Sequence, residues 1–284
     1  MTIFHNLTEA FPIFSLIFSL IMMVGLYQLG EIIFYNNNIK QIFLSVSDLK
    51  YQKILIAINF LMIIILPIVL YFSHSKQILS FLSILLIIFG LYKIITFLKK
   101  NLAIKKNLLT FDLNYFIFII VVLGLFLITF SPVNHSDSLD YHLGGAQYIF
   151  KTGRLPTTIE SYTYLLVGAG ESLNSLSFFF GAEQFGNLIQ FSGLISLIGI
   201  FKRFNNKKYF LLLLILTSPM IIFLVSSPKP QLFHLCSNAL LFVIVFINFD
   251  TIKKAKFNSF ELIVVSNIIL INSINSKFSY ILSS

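Results

Sequence analysis

The chain has 284 residues, 57% of them hydrophobic and 11% charged, with a formal net charge of +9. A soluble domain carries about 25% charged residues, so a globular enzyme with one anchor is excluded and an integral membrane protein with many spans is indicated. The basic residues cluster between apolar runs, as they do in cytoplasmic loops facing anionic lipid, so the positive balance does not indicate nucleic acid.

A span needs about 20 mostly apolar residues. In chain order, spans are predicted near 11–35, 54–73, 78–97, 113–131, 184–201, 209–227, 231–249 and 260–280. The N-terminal MTIFHNLTEA carries no Lys or Arg, so the basic segment of a cleavable signal peptide is not expected. The predicted fold class is therefore all-α, a polytopic transmembrane bundle of about eight spans. Residues 1–112 hold three N-terminal spans and 113–284 the remaining core, with no soluble domain or short repeat between them. The lone cysteine, Cys236, sits inside an apolar run and is expected to pack.

The apolar stretch 162–180 is ambiguous, and charge decides its status. If it does not cross, the cytoplasmic side holds Lys40, Lys50, Lys53, Lys93, Lys99, Lys100, Lys105, Lys106, Lys202, Arg203, Lys207, Lys208, Lys253, Lys254 and Lys256. The outer side then keeps only Lys76, Lys151, Arg154, Lys229 and Lys277. If it crosses, the clusters FKRFNNKK and TIKKAK flip outward and the asymmetry collapses. The positive-inside rule thus favours eight spans, both termini outside, and one long outer loop over about 132–183. Within that loop, GESLNSLSFFFG is expected to lie as a juxtamembrane amphipathic helix.

Polar groups concentrate in SPVNHSDSLDYHLGGAQYIFKTGRLP, residues 131–156, directly after an apolar span. Acids and histidines are costly at depth in a bilayer, so such a cluster reads as a functional site reached by water or a head group. Each member also has a plainer reading. Asp137 suits the N-cap of a helix starting near Ser138. His135 and His142 match no strong metal spacing. Lys229, between two prolines, suits interfacial snorkelling. Glu171 and Glu183 are expected as solvated ends of the phenylalanine-rich helix. Glu31 is expected to cap or pair near the cytoplasmic face, and His234 to pack in a span.

Asp137, Tyr141, Ala146, Gly153 and Pro156 form a pattern that resembles the first outer loop of the GT-C glycosyltransferases, such as protein O-mannosyltransferases and lipid A aminoarabinose transferases. GESLNSLSFFFGAEQFGNLIQFSGLISLIGIFKRF is similar to that family's juxtamembrane helix and following span. LLLLILTSPMIIFLVSSPKPQLFHL and INSINSKFSY resemble later spans, so the likeness covers roughly 113–280. Family members are longer, so the resemblance implies the N-terminal part of such an enzyme, completed by a C-terminal half or a second chain.

The resemblance implies transfer of a sugar from a polyprenyl-phosphate donor to a lipid, glycan or protein acceptor, on the outer face of a bacterial inner membrane. Asp137 matches the catalytic acid by position and is the candidate base, with Asp140 second and His142 positioning an acid or the acceptor. Lys229 and Arg154 share the predicted outer side and are candidates for the donor phosphate. A divalent metal, Mg or Mn, would fall to Asp137. Two departures bear on that metal: Ser138 follows Asp137 where many members have a second acid, and Gln231 stands near the usual place of an Asp. The rival reading is a non-catalytic membrane protein, a transporter or flippase component or a degenerate member that binds the carrier without transfer. Transporters usually carry polar groups near the bilayer midplane, whereas these spans read as largely clean.

Overall fold

The computed structural model describes residues 12–100, 113–156, 167–204, 209–253 and 259–276. Lys105, Lys106, Lys207, Lys208, Lys254, Lys256 and Lys277, with the ends of the first and last predicted spans, lie outside the described residues. Of the described residues 85% are helical, and none is in a strand. Among the described residues twelve α-helices follow one another: α1 Pro12–Ile33, α2 Asn37–Leu44, α3 Leu49–Tyr71, α4 Ser75–Lys100, α5 Leu113–Ile128, α6 Gly144–Thr152, α7 Ala169–Asn174, α8 Phe185–Phe204, α9 Tyr209–Leu216, α10 Pro219–Val225, α11 Gln231–Lys253 and α12 Ser259–Ser276. A π-helical turn, Ser138–Leu143, precedes α6, and a 3₁₀ turn, Ser175–Phe179, follows α7.

Among the described residues, five helices are long and apolar enough to cross a membrane: α1, α3, α4, α8 and the Gln231–Asn248 part of α11. At 1.5 Å per residue, the 22 residues of α1 reach about 33 Å, the thickness of a bilayer's hydrocarbon core. The chain is thus a membrane protein by length and composition. Leu113–Ile128 and Phe260–Ser276 are shorter apolar helices. The single span expected over 209–227 is instead two helices, α9 and α10. The break falls at Thr217–Ser218: Ser218 caps α10 by accepting from Ile221 N–H at 3.3 Å, and Pro219 takes the first helical position.

The segment GESLNSLSFFFG also departs from expectation. Ala169 through Ser177 is buried without a gap, so this is no amphipathic surface helix. It forms a wedge of α7 and the 3₁₀ turn inserted against α3, α4 and α12. Burial is tolerable because its hydroxyls satisfy themselves on the preceding turn. Ser172 donates to Gly168 O at 2.9 Å, Ser175 to Ser172 O at 2.6 Å and Ser177 to Asn174 O at 2.8 Å.

One buried apolar core joins Met22, Leu55 and Leu79 of the first helices to Phe185, Leu240 and Ile269 of the later ones. The spans are less clean inside than the sequence suggests. Asn272 donates to Asn59 O at 2.7 Å, and Asn59 donates to Ser237 Oγ at 3.3 Å. Nearer the other end, Ser196 donates to Gln52 Oε1 at 2.5 Å. Where lipid offers no hydrogen bonds, such internal pairs lock helices together. They give these buried polar residues partners on neighbouring apolar helices.

Candidate functional site

The site lies at the end of the bundle where α4 begins and α10 ends. Ser75, the first residue of α4, donates to Gly153 O in the turn after α6. Gly153 has φ 73°, the left-handed conformation that a C-terminal cap requires and that glycine adopts without strain. On this base the chain builds one ion pair and one buried imidazole–carboxyl pair.

The first joins Lys229 Nζ to Asp137 Oδ2 at 3.3 Å, across 92 positions of sequence. The two ends differ in access: the Lys229 side chain is 7% exposed and that of Asp137 57%. Asp137 stands at the N-cap position of the π turn, but its carboxylate makes no cap hydrogen bond. Capping therefore does not account for it. Phe223 of α10 is a shared platform, with the Lys229 ammonium 5.0 Å from its ring centroid and the His135 ring edge-on at 5.0 Å. Snorkelling does not account for Lys229 either, since its head group is held inside.

The Ser227–Pro228–Lys229–Pro230 turn is set by close packing. Asn174 donates to Pro228 O at 3.1 Å. A Cβ on Gly170 would come 2.5 Å from Pro230 Cβ, and one on Gly186 2.6 Å from Pro228 Cβ. Only bare backbone lets α7 and α8 cradle this turn and aim Lys229 at Asp137.

The second pair is His142 Nδ1 with Glu171 Oε1 at 2.6 Å, both side chains fully buried. The other oxygen, Oε2, accepts from Gly168 N–H at 2.8 Å, tying the acid to the start of α7. An ionised Glu171 only accepts, so opposite it a neutral imidazole carries its proton on Nδ1 and presents Nε2 as an acceptor. Glu171 is therefore no solvated end. Its burial follows from those two bonds, without which a carboxylate costs several kcal/mol in a dry interior.

Tyr141 links the two pairs. Its ring lies 4.0 Å from that of His142. Burial, then the negative charges of Glu171 and Asp137, push the phenol up to about 12. Tyr141 is thus a neutral hydroxyl at any ordinary pH. Several buried polar atoms here have no hydrogen-bond partner among the described residues: His142 Nε2, Ser138 Oγ, His135 Nδ1 and Gln231 Oε1. Native structures leave few such atoms orphaned, and three of these four belong to the 135–142 stretch at and just before the π turn.

The remaining candidates stand apart. Asp140 is exposed on the π turn. Arg154 is exposed just past Gly153, its backbone N–H bonded to Thr152 Oγ1 at 3.2 Å. Among the described residues no three His, Cys, Asp or Glu side chains gather as a metal-ligand set. Asp137 is paired with the Lys229 ammonium, so among the described residues the donor set does not fit Mg or Mn. Glu171 is the site residue that sequence reasoning missed. The available signal was an acid inside VGAGESLNS, a run of small residues with no basic neighbour. His234, by contrast, is buried on α11 against Ser276 Oγ at 2.5 Å, and Cys236 is buried nearby, as packing residues should be.

Residues 102–284 match the model of the DUF1420 N-terminal domain. The chain belongs to the DUF1420 family. No curated protein and no solved structure matches it. The match to the DUF1420 domain takes in every residue of both pairs, and α1 to α4 precede it.

Proposed function

We propose that the chain is a membrane glycosyltransferase that takes a sugar from a polyprenyl-phosphate donor. On the charge asymmetry of its loops, this reading puts both termini and the 132–183 segment on the outer face of a bacterial inner membrane. The observation that carries this reading is the Asp137–Lys229 pair, with its acid toward water and its ammonium in the protein. Such a pair can exchange partners. A donor phosphate arriving at Lys229 replaces the carboxylate, and Asp137 is released as a base.

In the transfer, the bond from the sugar's anomeric carbon to the phosphate oxygen breaks as the bond to the acceptor oxygen forms. Asp137 takes the acceptor's proton. The leaving polyprenyl phosphate keeps the electron pair and is stabilised by Lys229, with Arg154 at the water side. His142, oriented by Glu171, and the neutral Tyr141 hydroxyl supply hydrogen bonds that position the acceptor. No metal takes part in this scheme.

The test is a transfer assay in native membranes with radiolabelled polyprenyl-phosphate sugars, comparing the wild type with Asp137→Asn. The expected result is product from the wild type and a loss of at least about 100-fold in an equally expressed variant. Equal product from both removes Asp137 from the mechanism. Product from neither rejects the transferase reading for this chain.

A further inference from the structure

The opposite end of the bundle carries a second polar cluster that the transfer reading does not use. Ser15 and Ser75 lie at the site end of α1 and α4, since Ser15 donates to Gln184 Oε1 at 2.6 Å and Ser75 to Gly153 O. Glu31 lies 16 residues along α1 and Lys93 18 residues along α4, about 24 and 27 Å away at 1.5 Å per residue. There Glu31 is gripped from both sides. Lys53 Nζ donates to its Oε1 at 2.7 Å and to Tyr27 OH at 2.9 Å, and Lys93 donates to its other oxygen, Oε2.

Two adjoining recesses meet at Lys93. One, of about 540 Å³, is polar and lined by Glu31, Lys40, Lys53 and Lys93 among others. The other, of about 680 Å³, is almost wholly apolar, lined by Leu20, Met23, Val24, Ile94, Phe97 and Leu98 with Lys93 at its mouth. Both fall in the size range of ligand sites. The recess exists because α1 and α4 touch through bare backbone. A Cβ on Gly25 would lie 2.1 Å from Leu86 O, and one on Gly90 2.2 Å from Ile21 O. Helices pinned together at glycines leave a wedge beside the crossing.

Charge identifies the occupant. Three ammonium groups face one carboxylate, so the polar recess keeps an excess of two positive charges at a membrane boundary. With Lys40 exposed and Lys53 and Lys93 only partly covered, that excess attracts an anionic head group. The anion must also bring an apolar tail, because the neighbouring recess is hydrocarbon-lined. We infer that this cleft binds an anionic membrane phospholipid, its phosphate between Lys93, Lys53 and Lys40 and one acyl chain against Val24 and Phe97. The basic loops on the same side make it a lipid of the cytoplasmic leaflet. This inference does not rest on the transferase reading.

The experiment is native mass spectrometry of the detergent-purified full chain, titrated with phosphatidylglycerol or phosphatidylcholine. Wild type should retain phosphatidylglycerol in preference. Lys93→Gln leaves Glu31 paired with Lys53, so the fold is kept, and retention of phosphatidylglycerol should fall about fivefold with phosphatidylcholine unchanged. Val24→Trp, which fills the apolar recess without altering charge, should lower retention as well. Excess inorganic phosphate should leave the bound lipid in place. Equal retention of the two lipids by wild type, no change in Lys93→Gln, or displacement by inorganic phosphate alone overturns the inference.

Discussion

Glu171 is the most informative residue to perturb, because two substitutions there separate packing from proton placement. Glu171→Ala removes both oxygens and strands the His142 Nδ1–H and Gly168 N–H donors, now bonded at 2.6 and 2.8 Å, in a buried site. A hydrogen bond to a charged group contributes about 1.5–3 kcal/mol, so the loss is about 4 kcal/mol. For a chain of this size that is a fall of about 10 °C in melting temperature. Glu171→Gln keeps the shape. Its amide oxygen accepts from Gly168 N–H and its NH₂ donates to Nδ1, at a cost of about 1 kcal/mol. The imidazole must then carry its proton on Nε2, so the edge facing the open site changes from acceptor to donor. Transfer should fall about 100-fold although the protein stays folded. The assays are thermal unfolding in detergent by size-exclusion fluorescence, alongside the transfer assay. Equal destabilisation by Ala and Gln refutes the hydrogen-bond account of the burial. Full activity in Glu171→Gln refutes the tautomer argument.

The cradle beneath Lys229 should be as sensitive as the ion pair itself. Gly170→Val or Gly186→Val drives a side chain into Pro230 or Pro228 and should cost about 1–3 kcal/mol with loss of transfer, whereas Gly124→Ala, whose Cβ meets nothing within 4 Å, should match wild type in both assays. Tyr141 sets an alkaline limit. Its phenol is raised in the folded chain from 10 to about 12, so its contribution is complete below pH 10 and is lost as pH rises toward 12. Melting curves across that window should fall by about 2 kcal/mol more in wild type than in Tyr141→Phe; parallel curves would show that the raised phenol contributes nothing to stability.

Composition and periodicity by themselves determined the membrane class and the all-helical architecture. Runs such as Leu49–Tyr71 have no other way to satisfy their backbone in hydrocarbon. The sequence also singled out 131–156 and Lys229, because polar residues that interrupt apolar runs stand out wherever the chain is folded. The break at Thr217–Ser218–Pro219 was not read from the sequence, where the apolar run over 209–227 outweighed the helix-start signal of Ser218 and Pro219. Only the tertiary structure decided which acids are paired, and with what. Asp137 reads as a helix cap until Lys229 arrives from 92 positions away, and Glu171 reads as a solvated end until His142 arrives from 29. Whether GESLNSLSFFFG lies on the membrane or inside the protein was equally open, since self-bonded serines and close-packing glycines suit either surface. The physical reason is common to all three. Periodicity reports the local chain, whereas the cost of a buried charge or hydroxyl depends on a partner that only the fold supplies.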